Sequence, residues 1–173
     1  MAEPDDDLRA RIIGYISHNA AKPRSEIREM IDAQHRTLVA ALDGLTDGRA
    51  SIRPPGDEWC IKDVLRHVVD GKRTTARLVE RLGRGERPPG RLPLGAQTDD
   101  ADDRLEALVA RAEAAHRELL EALDGLPPRV DSAATFEHPF FGPLDALSWA
   151  VFQRVHDADH MQQIRAMLER TEA

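Results

Sequence analysis

Apolar residues recur at spacings of three and four along most of this chain, and each such run predicts an amphipathic helix. Leu8, Ile12, Ile13 and Ile16 give a weak run over residues 8–21 that ends before Pro23. Pro23-Arg24-Ser25-Glu26 opens a first long helix with the stripe Ile27, Met30, Ile31, Gln34, Leu38, Ala41, Leu42 and Leu45. Gly44 and Gly48 close it. A loop containing Pro54-Pro55-Gly56 leads to a second long helix carrying Ile61, Val64, Leu65, Val68, Thr75, Val79 and Leu82. A third starts near Asp99 to Asp103, carboxylates that suit a helix N-terminus. Its stripe is Leu105, Leu108, Val109, Ala112, Leu119 and Leu123, and it ends at Gly125 ahead of Pro127-Pro128. A fourth begins at Pro143 or Leu144 and runs unbroken by Gly or Pro from Trp149 to Leu168.

The connections refine this picture. Residues 83–97 are heavy in Gly, Pro and Arg, and are long enough to cross from one end of a bundle to the other. Residues 129–143 read as irregular, and Phe136, Phe140 and Phe141 within them suggest a plug over one end of the bundle. No segment reads as a strand. The expected fold is all-α: a four-helix bundle with a long crossover between the second and third long helices and a short extra N-terminal helix. Residues 1–22 are then an N-terminal extension, and residues 23–173 the bundle domain.

Composition mainly excludes. At 173 residues the chain can build one domain with a proper core. A net charge of −7 argues against nucleic acid or an anionic membrane as partner. No stretch approaches the roughly 18 uncharged apolar residues of a membrane span. The acidic start Met1-Ala2-Glu3-Pro4-Asp5 does not look like a secretion signal, so a cytoplasmic location is expected. A single cysteine, Cys60, excludes an internal disulfide and a multi-cysteine zinc site. Cys60 stands at the N-cap of the second long helix, with Asp63 three residues later as in a capping box. The helix N-terminus could favour its thiolate, but a small buried residue in place of Ser or Thr is the reading preferred.

Histidines carry the candidate chemistry. His156 and His160 are four residues apart, which on a helix is one turn along the axis and about 40° in azimuth. That spacing lets two imidazoles chelate one metal ion. It also describes ordinary polar positions on a wet face. Their surroundings favour the site, because Trp149, Phe152, His156, His160, Gln163 or Ile164, and Met167 form one row of mostly large apolar residues. His67, on the row Val64, His67, Gly71 and Thr74 of the second long helix, is the candidate third ligand. Asp63, Gln163 and Asp159 are possible hydrogen-bond partners for the ligands, and Asp157 and Asp159 are equally readable as solvated. His116 reads as a core-edge histidine, and His18, His35 and His138 as surface or loop residues.

Two segments carry a family resemblance. Glu58-Trp59-Cys60-Ile61-Lys62-Asp63-Val64-Leu65-Arg66-His67 resembles the W-S-I-x-E-V-L-x-H signature of the DinB-like superfamily. Phe136-Glu137-His138-Pro139, Phe141-Gly142-Pro143-Leu144, Trp149 and His156 to Ile164 resemble its C-terminal half, where H-P-x-x-G-P-L precedes H-x-x-x-H-x-x-Q-I. The match spans residues 24–168, and Cys60 departs from the usual Ser or Thr. The resemblance implies a bundle that is often dimeric, with a divalent metal on His67, His156 and His160. It also implies kinship with transferases and isomerases that use low-molecular-weight thiols such as mycothiol, bacillithiol or glutathione. Three imidazoles suit Zn, Ni, Fe, Mn or Co. A thiol or a water could fill the open positions, giving a thiol-dependent enzyme or a hydrolase. A non-catalytic, metal-stabilised bundle for dimerisation or small-ligand sensing is the reading from a different class.

Overall fold

The computed structural model describes residues 6–90 and 104–172. Its helices are α1 (Asp6–Ala20), α2 (Arg24–Ala40), α3 (Asp47–Ala50), α4 (Ile61–Gly83), α5 (Leu105–Asp124) and α6 (Ala146–Glu172). A small hairpin, β1 (Phe136–His138) and β2 (Gly142–Leu144), precedes α6. Four helices form the bundle, in the spatial ring α2, α6, α4, α5. No helix among the described residues is long and apolar enough to cross a membrane.

Directions follow from side-chain contacts. Asp47 of α3 is bonded both to Lys62 at the start of α4 and to the Leu105 N–H at the start of α5. At the opposite end Gly83 lies against Leu126. So α4 and α5 run parallel, and the chain leaves α4 at one end of the bundle and enters α5 at the other. That is the expected long crossover; the expected helix start at Asp99 to Asp103 lies outside the described residues. α6 is antiparallel to α4, since Thr75 meets Gln153 and Lys72 meets Asp157. α1 packs along α6 through the buried Ile16. Covered on so many sides, α6 buries five consecutive residues, Trp149, Ala150, Val151, Phe152 and Gln153.

The hairpin corrects the strand-free reading of residues 129–143. Phe136 pairs with Leu144, Glu137 with Pro143 and His138 with Gly142. Three-residue strands are too short to show an alternating pattern, and Gly142 supplies the positive φ of 74° that closes the turn. Phe136, Phe141 and Leu144 pack on Trp149 and Phe152 in one apolar cluster, so the expected plug exists as a hairpin. His138, read as a surface or loop residue, is 5% exposed inside it. Phe140 and Phe141 donate their backbone N–H groups to its Nδ1, at 3.1 and 3.3 Å. α6 starts at Ala146 rather than at Pro143 or Leu144, because Asp145 caps it by accepting the Ser148 N–H at 2.8 Å.

A layer of polar side chains separates the two main apolar clusters of the core. It contains His35, Lys72, Thr75, His116, Gln153, Asp157 and His160, each no more than 5% exposed. His35 thus corrects the surface reading: it continues the buried α2 row Ile27, Ile31, His35, Leu38. Its ring stacks on His116 at 3.9 Å between centroids. His116 Nε2 lies 3.0 Å from Asp32 Oδ1. His35 Nε2 lies 3.3 Å from Glu113 Oε2, close enough for attraction without hydrogen-bond alignment. Burial, then Lys72, pushes His35 down to about 4. Burial also lowers His116, partly offset by its Asp32 bond.

Two outcomes follow. Asp145→Ala removes the α6 cap and should cost about 1 kcal/mol in denaturant unfolding. The unfolded His35 takes a proton below about pH 6.5, the folded one only near pH 4. Between these values the unfolded state holds more protons, so metal-free protein should lose stability as the pH falls from about 6.5 towards 4. His35→Leu should make that slope shallower; an unchanged slope would contradict the assignment.

Candidate metal centre

The α4–α6 seam places the three predicted ligands together. The α4 row His67, Gly71, Thr75 faces the α6 row Gln153, His156, His160 across an antiparallel contact. His67 Nε2 and His156 Nε2 are 3.0 Å apart. The ring of His67 lies 4.8 Å from that of His160, and the rings of His156 and His160 lie 4.4 Å apart. One nitrogen from each histidine falls within 4.8 Å of the other two. Nitrogens sharing one ion at about 2.0–2.1 Å each would be separated by roughly 2.9–3.4 Å. One pair already meets that spacing, and the third needs only a small side-chain adjustment.

Several neighbours prepare the site. Gly71 makes room for His156: a Cβ there would stand 3.0 Å from its Cε1. Gln163 Oε1 lies 2.9 Å from His160 Nδ1, so that nitrogen carries the proton and Nε2 keeps its lone pair. The partly buried Trp59 lies 5.2 Å from the His67 ring and shades the site from one side. Burial, then His156 and His160, pushes His67 down to about 3. Burial, then His156, pushes His160 down to about 4. Both rings are therefore neutral at pH 7, the form that ligates metal.

Some expected roles change. Gln163 is a partner of the candidate ligand His160, as its spacing suggests, but Asp63 is not a partner of His67. Its carboxylate accepts the Cys60 N–H at 2.9 Å and pairs with Arg66 at 2.6 Å, completing the capping box instead. Asp159 is exposed. Asp157, readable as solvated, is 0% exposed and takes a hydrogen bond from the equally buried Lys72. Burial alone would raise its carboxyl, but Lys72 and then His156 hold it well below the usual carboxylate range. Burial, then Asp63, pushes the Cys60 thiol up, so the helix N-terminus does not yield a thiolate there. The preferred reading of Cys60 as a small buried residue stands.

Sequence reasoning gives no role to Lys72 or Gln153, none beyond the apolar stripe to Thr75 and none beyond the family signature to Trp59, and it reads the buried His138 as a surface or loop residue. One signal was available for the polar ones: Lys72, Thr75 and Gln153 fall on the inward stripes of their helices. A separate groove near the C-terminal ends of α4 and α5, lined by Arg73, Arg77, Glu80, Arg84, Glu118 and Glu121, includes none of the three histidines. Its Arg84–Glu80 and Arg73–Glu118 pairs mark it as a solvated, internally balanced surface.

Comparison with known proteins adds to this geometry. The DinB superfamily model matches residues 30–164, which include His67, His156 and His160. The solved structure of TT2238, a four-helix bundle protein, is 26% identical and superposes with a TM-score of 0.64. That superposition covers 83% of this chain and 99% of the other. No curated protein matches the sequence. With the bundle, the crossover and both signature segments in place, this chain belongs to the DinB superfamily.

Proposed function

We propose that this protein is a metal-dependent enzyme of the thiol-dependent S-transferase or isomerase type. His67, His156 and His160 hold one divalent cation in this reading, and a low-molecular-weight thiol such as mycothiol is the co-substrate. The observation that supports it most is the convergence of three largely buried imidazoles, two of them held neutral, on one point between α4 and α6. A cation bound there would lower the pKa of a coordinated thiol and give a thiolate at neutral pH.

The chain's own groups divide the remaining work. His67, His156 and His160 supply three nitrogen donors and leave further positions for a small molecule. Gln163 fixes the His160 ring, and Gly71 leaves space for that of His156. Trp59 and Phe152, whose rings lie 5.2 Å from His67 and 5.9 Å from His156, limit water around the site. Cys60 is buried with its thiol pushed up, so the reactive sulfur has to come from a small molecule. Low exposure favours a second reading: the His156 side chain is only 9% accessible, which also suits a metal that braces a non-catalytic bundle.

His160→Ala should cut bound divalent metal from about one per chain to near zero by elemental analysis, with the helical signal kept. Chelation of the wild type separates the two readings. Loss of thiol conjugation to a generic electrophile supports the enzyme, whereas a lower Tm with no turnover for any thiol supports the bracing role. A folded protein that takes up no metal would contradict both.

A further inference from the structure

Beneath the metal centre lies a hydrogen-bonded chain of four fully or nearly fully buried side chains. Lys72, Gln153 and Asp157 are 0% exposed and Thr75 is 2% exposed. Lys72 Nζ donates to Asp157 Oδ2. Gln153 Nε2 donates to Asp157 Oδ1 at 2.8 Å, and Thr75 Oγ1 donates to Gln153 Oε1 at 2.8 Å. The Asp157 contact fixes which way round the amide lies, because a carboxylate accepts and cannot face the amide oxygen, and the Thr75 hydroxyl then donates to that oxygen. The second hydrogen of Gln153 Nε2 then points at His156 Nδ1, 3.3 Å away.

This arrangement sets the tautomer of His156. With Nδ1 accepting from Gln153, its proton sits on Nε2 and faces His67 Nε2 at 3.0 Å. Nε2 is also the nitrogen placed to share a cation with His67. Ligation through Nε2 would require the ring's proton to sit on Nδ1 instead. The new Nδ1–H then faces an amide N–H, which cannot accept it. Asp157 Oδ1 stands 4.0 Å from Nδ1, and a shift of about 1 Å brings it within hydrogen-bond reach.

Accepting the metal reading given above, we propose that Asp157, with Lys72 as its buried countercharge, is a positioning residue for the metal centre: its carboxylate receives the Nδ1–H of ligating His156. Gln153 holds the metal-free tautomer and Asp157 the metal-bound one. A carboxylate behind a ligating imidazole fixes the ring and makes it a better donor. This role also accounts for a fully buried ion pair, since such pairs add little or nothing to stability over apolar residues of similar size.

Zinc affinity, measured by competition with a chromophoric chelator, tests this alongside the Tm of metal-free protein. Lys72→Met/Asp157→Leu removes both charges together and leaves no unpaired buried charge, so it should still fold, with a somewhat lower metal-free Tm because Gln153 loses its acceptor. Its zinc affinity should fall by about 10–100-fold. Equal zinc affinity in the folded double variant and in wild type would overturn this proposal alone. Wild type that binds no zinc would overturn the metal reading and this proposal with it. A second measurement needs no variant: long-range proton–nitrogen spectra of wild type should show the His156 proton on Nε2 without zinc and on Nδ1 with it. A bare Nδ1 in the zinc-loaded protein would overturn the proposal.

Discussion

Lys72 has no access to water, so its charge has to be answered inside the bundle. Asp157 answers it from the facing helix, and that pairing is met in only one sliding position of α4 against α6. With 72 opposite 157 in an antiparallel contact, Thr75 falls opposite Gln153, and Gly71 and His67 opposite His156. A slip of one turn along either helix would leave a buried ammonium and a buried carboxylate unpaired. The register that avoids this outcome is the one that brings three imidazoles together. The site is thus a consequence of how the core satisfies its polar groups.

The same polar layer explains the division of the core. Apolar residues gather on either side of it: Ile27, Ile31, Leu82, Leu119 and the hairpin phenylalanines in one cluster, Leu38, Leu65, Val68, Met161 and Ile164 in the other. Each cluster buries the inward stripes of several helices and supplies the hydrophobic drive. The layer between them is costly unless every member finds a partner. Within it His116 bonds Asp32, while His35 stacks on His116 beside Glu113 with neither ring nitrogen hydrogen-bonded. These rings are parallel, so their nitrogens do not aim at a common point as those of His67, His156 and His160 do.

Much of this was legible in the sequence, and the reasons are specific. The helices announced themselves through period-3.6 stripes, and the crossover through a Gly- and Pro-rich stretch that no helix could include. His156 and His160 were found because their spacing is a geometric signature, and His67 because its row faces inward. His35 reads as a surface residue when the α2 stripe is drawn through Gln34, although Ile31 and Leu38 place position 35 on the buried face. The hairpin escaped because each strand has three residues and Pro143 sits in one of them. Asp157 and Lys72 were out of reach for a deeper reason. Charged residues are almost never fully buried without a partner, and their pairing spans 85 positions that only the folded chain brings together.

Family membership and geometry are consistent at the level both can address. The DinB superfamily match and the superposition on a four-helix bundle account for the frame, and three imidazoles brought together from two adjacent helices make a cluster that could hold a cation. What the cation would activate depends on groups that come with the substrate. The most direct measurement is X-ray absorption at the zinc edge on wild-type protein loaded with one equivalent of zinc. Three imidazole nitrogens completed by one or more oxygen donors at about 2.0–2.1 Å is the predicted shell. A shell with fewer than three imidazoles, or with sulfur from Cys60, would contradict the account.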